Sequence, residues 1–342
     1  MERPGAVDDI HRRSPLRTGH VWSSRFVRRL ISISVVTLLA GFAWLLLPLA
    51  LVADLLTAPR RMPATRLTFM GWGYALYEVV GVIRSFGLWL RFGGVVTSPR
   101  ALRRHHELQR WWAAGIVDVA RRTVGLRFEG PDPVLPDGPV VVLARHSSMA
   151  DAILPAYLIG VRADRGIRYV LKRELLADPC LDIVGNRLPN HFIDRSDTDD
   201  HQLHALRDLA TDADDDALVI FPEGTFALPD KQLRAVHHLE RHDPERASRA
   251  KALRHTLLPR PAGTLALLEA SPAADVLVLA HTGLEGAAYA RGVWRSVPFR
   301  APVRVRPELH ARSSIPRDRV DRIDWLDRTW ADVDDWIEEH HA

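Results

Sequence analysis

His146 and Asp151 are the two side chains in this sequence best suited to acid–base chemistry. They follow VVVLA (140–144), an apolar run typical of a buried strand. If His146 ends that strand and Ser148 caps the next helix, Asp151 falls in the first helical turn. Its carboxylate can then hold one imidazole nitrogen and leave the other as a general base. The alternative is a plain capping box between Ser148 and Asp151, with His146 an incidental loop residue.

Two further groups of polar residues follow apolar runs, and they suit an anionic ligand. The run ALVI is followed by FPEGT (221–225), which predicts a tight turn that presents a carboxylate and two backbone amides at a strand end. Lys172 and Arg195 follow two other apolar runs, where cations are well placed to bind a phosphate group.

The segments that must position these residues alternate between two patterns from residue 126 onward. The strand-like runs are LRFEG, VVVLA, IRYVL, HFIDR, ALVIF, DVLVLAH and PVRVR. Helix-like spans such as DHQLHALRDLA and AGTLALLEA lie among them, and the C-terminal segment has apolar residues at helical spacing. This alternation predicts an α/β domain with a mixed, largely parallel sheet flanked by helices, completed by a closing helix.

The N-terminal part of the chain is first basic and then strongly apolar. Residues 1–29 are polar and arginine-rich, which predicts disorder, whereas 30–53 contains no charged residue until Asp54. As a helix that run would reach ~36 Å, enough to cross a hydrocarbon core. It is too long for the apolar h-region of a signal peptide, and no A-x-A cleavage site follows it. A second apolar run (67–92) carries Glu78 and Arg84, which are costly in lipid. We therefore expect residues 30–99 to form a membrane-anchoring helix hairpin, whose second arm is either spanning or re-entrant.

Residues 100–342 are expected to form the catalytic domain, beginning with a basic amphipathic helix at 100–125. Trp111 and Trp112 suit either a membrane-surface helix or a helix packed on the core. A formal charge of +4 does not by itself imply a polyanion partner, and no nucleic acid is expected. The single cysteine, Cys180, excludes an intramolecular disulfide and a multi-cysteine metal site, and no metal is expected.

The motifs H-x4-D, K-x-x-L, F-I-x-R and F-P-E-G-T, in this order, resemble the blocks of the glycerolipid acyltransferase family over about residues 105–310. These membrane enzymes acylate glycerol 3-phosphate, lysophosphatidate and other lysophospholipids from acyl-CoA or acyl-carrier protein. The resemblance implies a glycerol-3-phosphate acyltransferase-like fold. A polar insert (about 229–256) before TLLPRPAG is similar to the larger lysophosphatidate and lysocardiolipin acyltransferase branch.

The resemblance also implies roles for individual residues. Catalysis would fall to His146 and Asp151, and no cofactor would be needed beyond the acyl donor. Arg195, after Phe192 and Ile193, would contact the acceptor phosphate with Lys172 nearby. The acceptor site would be shaped by Glu223, Gly224 and Thr225.

The sequence departs from the family pattern at three positions. Arg145 stands where Asn is common, Phe226 where Arg or Ser is common, and Leu279 where Pro is usual. The change at Phe226 removes one expected phosphate contact, so these departures bear on the identity of the acceptor rather than on the reaction class.

The resemblance implies an enzyme at the cell membrane, with the catalytic domain facing the cytoplasm, that acylates 1-acyl-sn-glycerol 3-phosphate to phosphatidate. Its partners would be a lysophospholipid acceptor, acyl-CoA and membrane lipid. Other acceptors remain open: glycerol 3-phosphate, lysophosphatidylglycerol, lysocardiolipin or a glycolipid. A non-catalytic membrane scaffold and a thioesterase are the alternatives from other functional classes.

Overall fold

The structure is a computed structural model, and it describes residues 24–95, 98–193 and 199–340. Most of the predicted disordered N-terminus (1–23) lies outside these ranges. Its last residues do not fit that prediction, because the first helix already begins at Arg25 rather than at residue 30.

The N-terminal segment is a helical hairpin. Its first arm consists of α1 (Arg25–Phe42), a 3-10 turn (Ala43–Leu46) and α2 (Leu47–Thr57), and its second arm is α3 (Pro63–Arg91). The carboxylate of Asp54 accepts the backbone N–H groups of Ala64 (2.9 Å) and Thr65 (2.8 Å), so the end of the first arm caps the start of the second. Among the described helices, the stretch Arg25–Thr57 alone is long and apolar enough to cross a membrane.

The second arm packs on α4 (Pro99–Thr123), and Glu78 and Arg84 of this arm contact tryptophan side chains of α4. The Glu78 carboxylate accepts the indole N–H of Trp112 (2.6 Å) and the backbone N–H of Cys180 (3.0 Å). The Arg84 guanidinium lies 4.1 Å from the ring centroid of Trp111. These contacts favour the core-packing interpretation of the helix predicted at 100–125.

A seven-stranded sheet forms the centre of the remaining chain, with strand order β1-β7-β6-β2-β5-β3-β4. The strands are β1 (Phe128–Glu129), β2 (Val140–Ala144), β3 (Ile167–Lys172), β4 (His191–Ile193), β5 (Ala217–Ile220), β6 (Asp275–Thr282) and β7 (Val303–His310). All neighbouring pairs are parallel except β6 and β7. The predicted mixed, largely parallel sheet is confirmed, and each predicted strand-like run contributes one strand.

The sheet is covered by helices on both faces. The helices after α4 are α5 (Ile153–Pro155, continued as a π-helical segment to Arg162), α6 (Pro179–Ile183), α7 (Asp199–Ala210), α8 (Pro229–His242), α9 (Pro244–Ala252), α10 (Pro261–Ala270), α11 (Ala290–Ser296) and α12 (Arg319–His340). Strand β2 sends Val140 and Val142 to the face shared with α4, and Val141 and Leu143 to the face shared with α7, α10 and α12.

The C-terminal helix α12 closes the second face, as its spacing predicts. Leu326, Trp330, Val333 and Ile337 are fully buried against the sheet. The polar insert before α10 forms two helices, α8 and α9, and Arg246 of α9 is paired with Asp327 of α12 at 2.7 Å. The architecture thus brings the carboxyl ends of β2, β3, β5 and β6 to one edge of the sheet.

Candidate active site

His146 and Asp151 meet at the carboxyl end of β2. The imidazole Nδ1 lies 3.3 Å from Asp151 Oδ2, and His146 precedes a 3-10 turn (Met149–Ala152) in which Asp151 is the third residue. Ser148 caps that turn, and both halves of a capping box are present. The arrangement is therefore a capping box and a His–Asp pair at once, so the two interpretations of the sequence do not exclude each other.

Asp151 is fully buried and held by several donors. Oδ2 accepts the backbone N–H groups of Ser147 and Ser148, the latter at 2.6 Å, and Oδ1 accepts the Ser148 hydroxyl at 2.7 Å. Burial by itself raises the pKa of Asp151, but His281, His146 and the Ser148 donors outweigh burial and lower the pKa. Asp151 is consequently a carboxylate at neutral pH, as an orienting partner for His146 must be.

The FPEGT turn joins the pair from the end of β5. Gly224 has φ +69°, a left-handed conformation that glycine adopts without the cost paid by other residues. Glu223 is buried, and its carboxylate accepts the backbone N–H of His146 at 2.8 Å and that of Leu257 at 3.0 Å. Burial raises the pKa of Glu223 to about 7 although Arg145 and the two N–H donors oppose it. Glu223 thus fixes the backbone at His146.

Two phenyl rings enclose the imidazole of His146. The ring centroid of Phe221 lies 4.7 Å away, and that of Phe226 lies 4.5 Å away in an edge-on arrangement. The His146 side chain is 12% exposed, so the ring is confined but still reachable by a ligand. With Nδ1 directed at Asp151, Nε2 is the nitrogen that can take a proton.

Two lysines approach the ring of Phe226. Lys172, at the end of β3, places Nζ 5.5 Å from the ring centroid, and Lys231, in the first turn of α8, places Nζ at 5.1 Å. Lys231 also donates a 2.6 Å hydrogen bond to the Thr225 hydroxyl. The predicted phosphate ligand Arg195 lies outside the described residues, although β4 ends at Ile193 beside Lys172.

Two comparisons with known proteins bear on this part of the chain. The family model named Acyltransferase matches residues 125–261, which contain His146, Lys172 and the FPEGT turn. A similar solved structure is that of the 1-acyl-sn-glycerophosphate (LPA) acyltransferase PlsC from Thermotoga maritima, with TM-score 0.53 and 14% identity over 81% of this chain and 97% of that chain. No curated protein matches by sequence.

The predicted fold is confirmed, and residues 125–261 match the predicted acyltransferase family, whereas the roles of single residues stay predictions. The structure gathers His146, Asp151, Lys172, Glu223, Gly224 and Thr225 at one edge of the sheet. The Ser147 and Ser148 amides are bonded to Asp151, so they are not available to stabilise an oxyanion.

From the sequence no role was predicted for three residues of this site: Arg145, Lys231 and His281. Arg145 is buried, and its guanidinium donates to Glu285 and to the carbonyl oxygens of His281 (2.5 Å) and His255 (3.0 Å). Lys231 was identifiable as one of three lysines in a chain with 46 lysines and arginines. His281 lies two residues after Leu279 in the strand-like run DVLVLAH. Lys231 and His281 therefore come from chain segments far in sequence from His146 and Asp151, whereas Arg145 directly precedes His146.

Proposed function

We propose that the protein is a membrane-associated acyltransferase that moves a fatty acyl group from acyl-CoA or acyl-carrier protein to the free hydroxyl of 1-acyl-sn-glycerol 3-phosphate. The product is phosphatidate. The observation that carries the proposal is the His146–Asp151 pair at the carboxyl end of β2. The Phe226 ring packs against His146, and two lysine ammonium groups lie near that ring.

The reaction needs no covalent enzyme intermediate. Nε2 of His146 takes the proton of the acceptor hydroxyl as that oxygen attacks the thioester carbonyl carbon. The tetrahedral intermediate breaks its C–S bond, and the leaving thiolate receives the proton from the imidazolium. Asp151 orients the imidazole and stabilises its charged form. No metal or cofactor takes part in this scheme.

The acceptor phosphate is proposed to bind beside Phe226. Lys172 and Lys231 supply positive charge there, and Arg195 is proposed to add a planar guanidinium. Phe226 stands where the family commonly has an arginine or serine, and the Lys231 ammonium group supplies the phosphate contact that Phe226 cannot make. Support for an anionic ligand comes from the position of Lys231 in the first turn of α8, where a cation opposes the helix dipole. In the described part of the chain no carboxylate pairs with it.

Acyl transfer in detergent–lipid micelles tests the proposal. Purified protein and labelled oleoyl-CoA would be offered lysophosphatidate, glycerol 3-phosphate, lysophosphatidylglycerol, lysocardiolipin and a monoacylated glycolipid. We expect phosphatidate from lysophosphatidate, with a loss of about 10²–10⁴-fold in His146→Ala. His237→Ala, a change at an exposed residue of α8, is the matched control.

Each contrary outcome points to a different conclusion. Transfer to another acceptor would keep the mechanism and change the substrate. Acyl-CoA loss to water without an acceptor would indicate a thioesterase. No reaction with either CoA or carrier-protein thioesters would favour the scaffold, and an active His146→Ala would refute the general-base role.

We further propose that the hairpin lies along the membrane surface on the cytoplasmic side, with residues 100–342 as the catalytic domain. Large apolar side chains are exposed along both arms, including Leu38, Leu55 and Phe86. Near the start of the first arm, Arg28 is paired with Asp182 at 2.8 Å. At the hairpin turn, Arg61 donates to the Val297 carbonyl at 2.7 Å. An arm fastened to the same domain at both ends supports an in-plane hairpin over a spanning one.

Thiol labelling from the two sides of the membrane tests this arrangement. Ser24→Cys and Arg60→Cys place a thiol near either end of the first arm, and the native Cys180 is buried. An impermeant reagent should label both in inverted vesicles and neither in intact cells. Labelling of one site from each side would show that the arm spans the membrane.

A further inference from the structure

A second histidine, His281, lies against the proposed catalytic pair. It belongs to β6, which runs parallel to β2, and the backbone N–H of Arg145 donates to the Leu279 carbonyl at 3.1 Å. This register brings the fully buried imidazole of His281 beside the end of β2. Its Nε2 lies 3.3 Å from the Arg145 carbonyl oxygen and 3.6 Å from Asp151 Oδ1.

The surroundings of His281 identify its tautomer. Both atoms near Nε2 are acceptors, so Nε2 carries the ring hydrogen. Nδ1 is buried without a hydrogen-bond partner among the described residues. Burial lowers the pKa of His281, and together with Arg145 it outweighs the opposing charges of Asp151 and Glu285, so the ring is neutral at neutral pH. An unpaired buried nitrogen is destabilising, so packing alone would favour an apolar side chain here.

The two oxygens of Asp151 face different partners. Oδ2 receives the two serine amides and faces His146, whereas Oδ1 receives the Ser148 hydroxyl and faces His281. We propose that His281 is a positioning residue for acyl transfer, which holds Oδ1 of Asp151 so that Oδ2 stays directed at His146. This inference rests on the proposed function.

A neutral donor suits that role better than a cation. It restrains the carboxylate but leaves the negative charge available to the imidazolium that forms on His146. The other charged groups facing His281 are Arg145, from the end of β2, and Glu285, from the 3-10 turn after β6 (Glu285–Ala288), and these two are paired with each other.

Substitution of His281 by leucine and by glutamine tests the inference. His281→Leu removes the donor, and we expect kcat to fall about 10–100-fold while the KM for the acceptor changes little. Asp151 then loses the Nε2–H dipole 3.6 Å from Oδ1, so its pKa should rise. A more basic carboxylate favours the protonated form of the His146 ring, so the acid limb of the kcat/KM profile should move to higher pH. His281→Gln can still donate near the Nε2 position and should retain most of kcat. His105→Leu, at a buried histidine of α4 away from the site, is the matched control for stability.

A readout independent of activity separates this inference from the proposed function. ¹⁵N-histidine NMR of the full chain in micelles, assigned with His281→Gln, should show a neutral His281 with its hydrogen on Nε2 between about pH 6 and 8. A wild-type protein without acyl transfer would refute the function and leave this result standing. A charged ring, a hydrogen on Nδ1, or unchanged kcat and acid limb in His281→Leu would overturn the inference. If His281→Leu does not fold, His281→Gln and the NMR result decide.

Discussion

The guanidinium of Arg28 and the carboxylate of Asp182 form a buried ion pair through hydrogen bonds of 2.8 and 2.9 Å. The side chains are 6% and 0% exposed, and the pair joins the first hairpin arm to α6. Arg29 adds a 2.9 Å hydrogen bond to the backbone carbonyl of Asp182. The hairpin is thereby fastened to the same body that carries the proposed active site.

Breaking this pair from one side should destabilise the protein strongly. Arg28→Leu leaves the Asp182 charge buried with less compensation, and we expect a loss of about 3–5 kcal/mol in the free energy of unfolding in detergent. The double variant Arg28→Leu/Asp182→Leu should be more stable than either single variant. Arg104→Leu, which breaks an exposed pair with Glu107, should cost under about 1 kcal/mol. Additive single effects in the double variant would contradict a direct coupling.

Lys231 should contribute to binding of the acceptor but little to chemistry. Lys231→Met should raise the KM for lysophosphatidate about tenfold with kcat nearly unchanged, because a charged hydrogen bond contributes about 1.5–3 kcal/mol. Lys231→Arg should restore binding, and a neutral acceptor such as monoacylglycerol should not distinguish the variants. Lys251→Met is the control, since that lysine is exposed and paired with Glu240. Equal effects on charged and neutral acceptors would refute the proposed phosphate contact.

Glu223 should make stability depend on pH in the range between its usual pKa of 4.5 and about 7. Because folding raises its pKa, the folded state holds a proton that the unfolded state has lost, and stability falls as pH rises through this range. The change should be on the order of 3 kcal/mol. Asp151 acts with the opposite sign, since its lowered pKa removes stability as pH falls below about 4.

Denaturant unfolding at about pH 5 and pH 8 measures the effect of Glu223. In Glu223→Gln the amide replaces the protonated carboxyl group and does not titrate. The difference in the free energy of unfolding between about pH 5 and pH 8 should therefore shrink by about 3 kcal/mol. A difference unchanged by the substitution would assign the pH dependence to other groups.

Close contact between α3 and α4 should depend on Gly115. A Cβ at this position would lie 1.8 Å from Tyr77 Cε1, so Gly115→Ala should cost about 1–3 kcal/mol in thermal or denaturant unfolding. Gly87→Ala, on α3, meets nothing within 4 Å and should be neutral or slightly stabilising. Tyr77→Leu should relieve the Gly115→Ala penalty, and its failure to do so would place the strain elsewhere.

Local patterns were enough to predict the sheet and the position of His146. Strands buried on both faces appear as short apolar runs, and a histidine two residues after the end of such a run lies at the carboxyl edge of the sheet. The antiparallel pairing of β7 did not follow from these runs, because strand direction depends on how the chain returns to the sheet.

The contacts that Lys231 and His281 make in the site could not be deduced from the sequence. Lys231 reaches Thr225 through the turn into α8, and His281 reaches Asp151 through the register of β6 on β2. Neither contact corresponds to a recognisable spacing of residues in the sequence. The sequence likewise does not show whether the charged residues of α3 face lipid or protein. The structure places Glu78 against Trp112 and Cys180.

The enclosure of His146 by Phe221 and Phe226 also bears on when conformational freedom is lost. Ordering a side chain at the moment of binding costs about 0.5–1.5 kcal/mol. Here the rings, together with Asp151, have already restricted the imidazole before any lipid arrives. The side-chain conformational entropy of His146 is therefore lost once, when the chain folds, and is not lost again in each catalytic cycle.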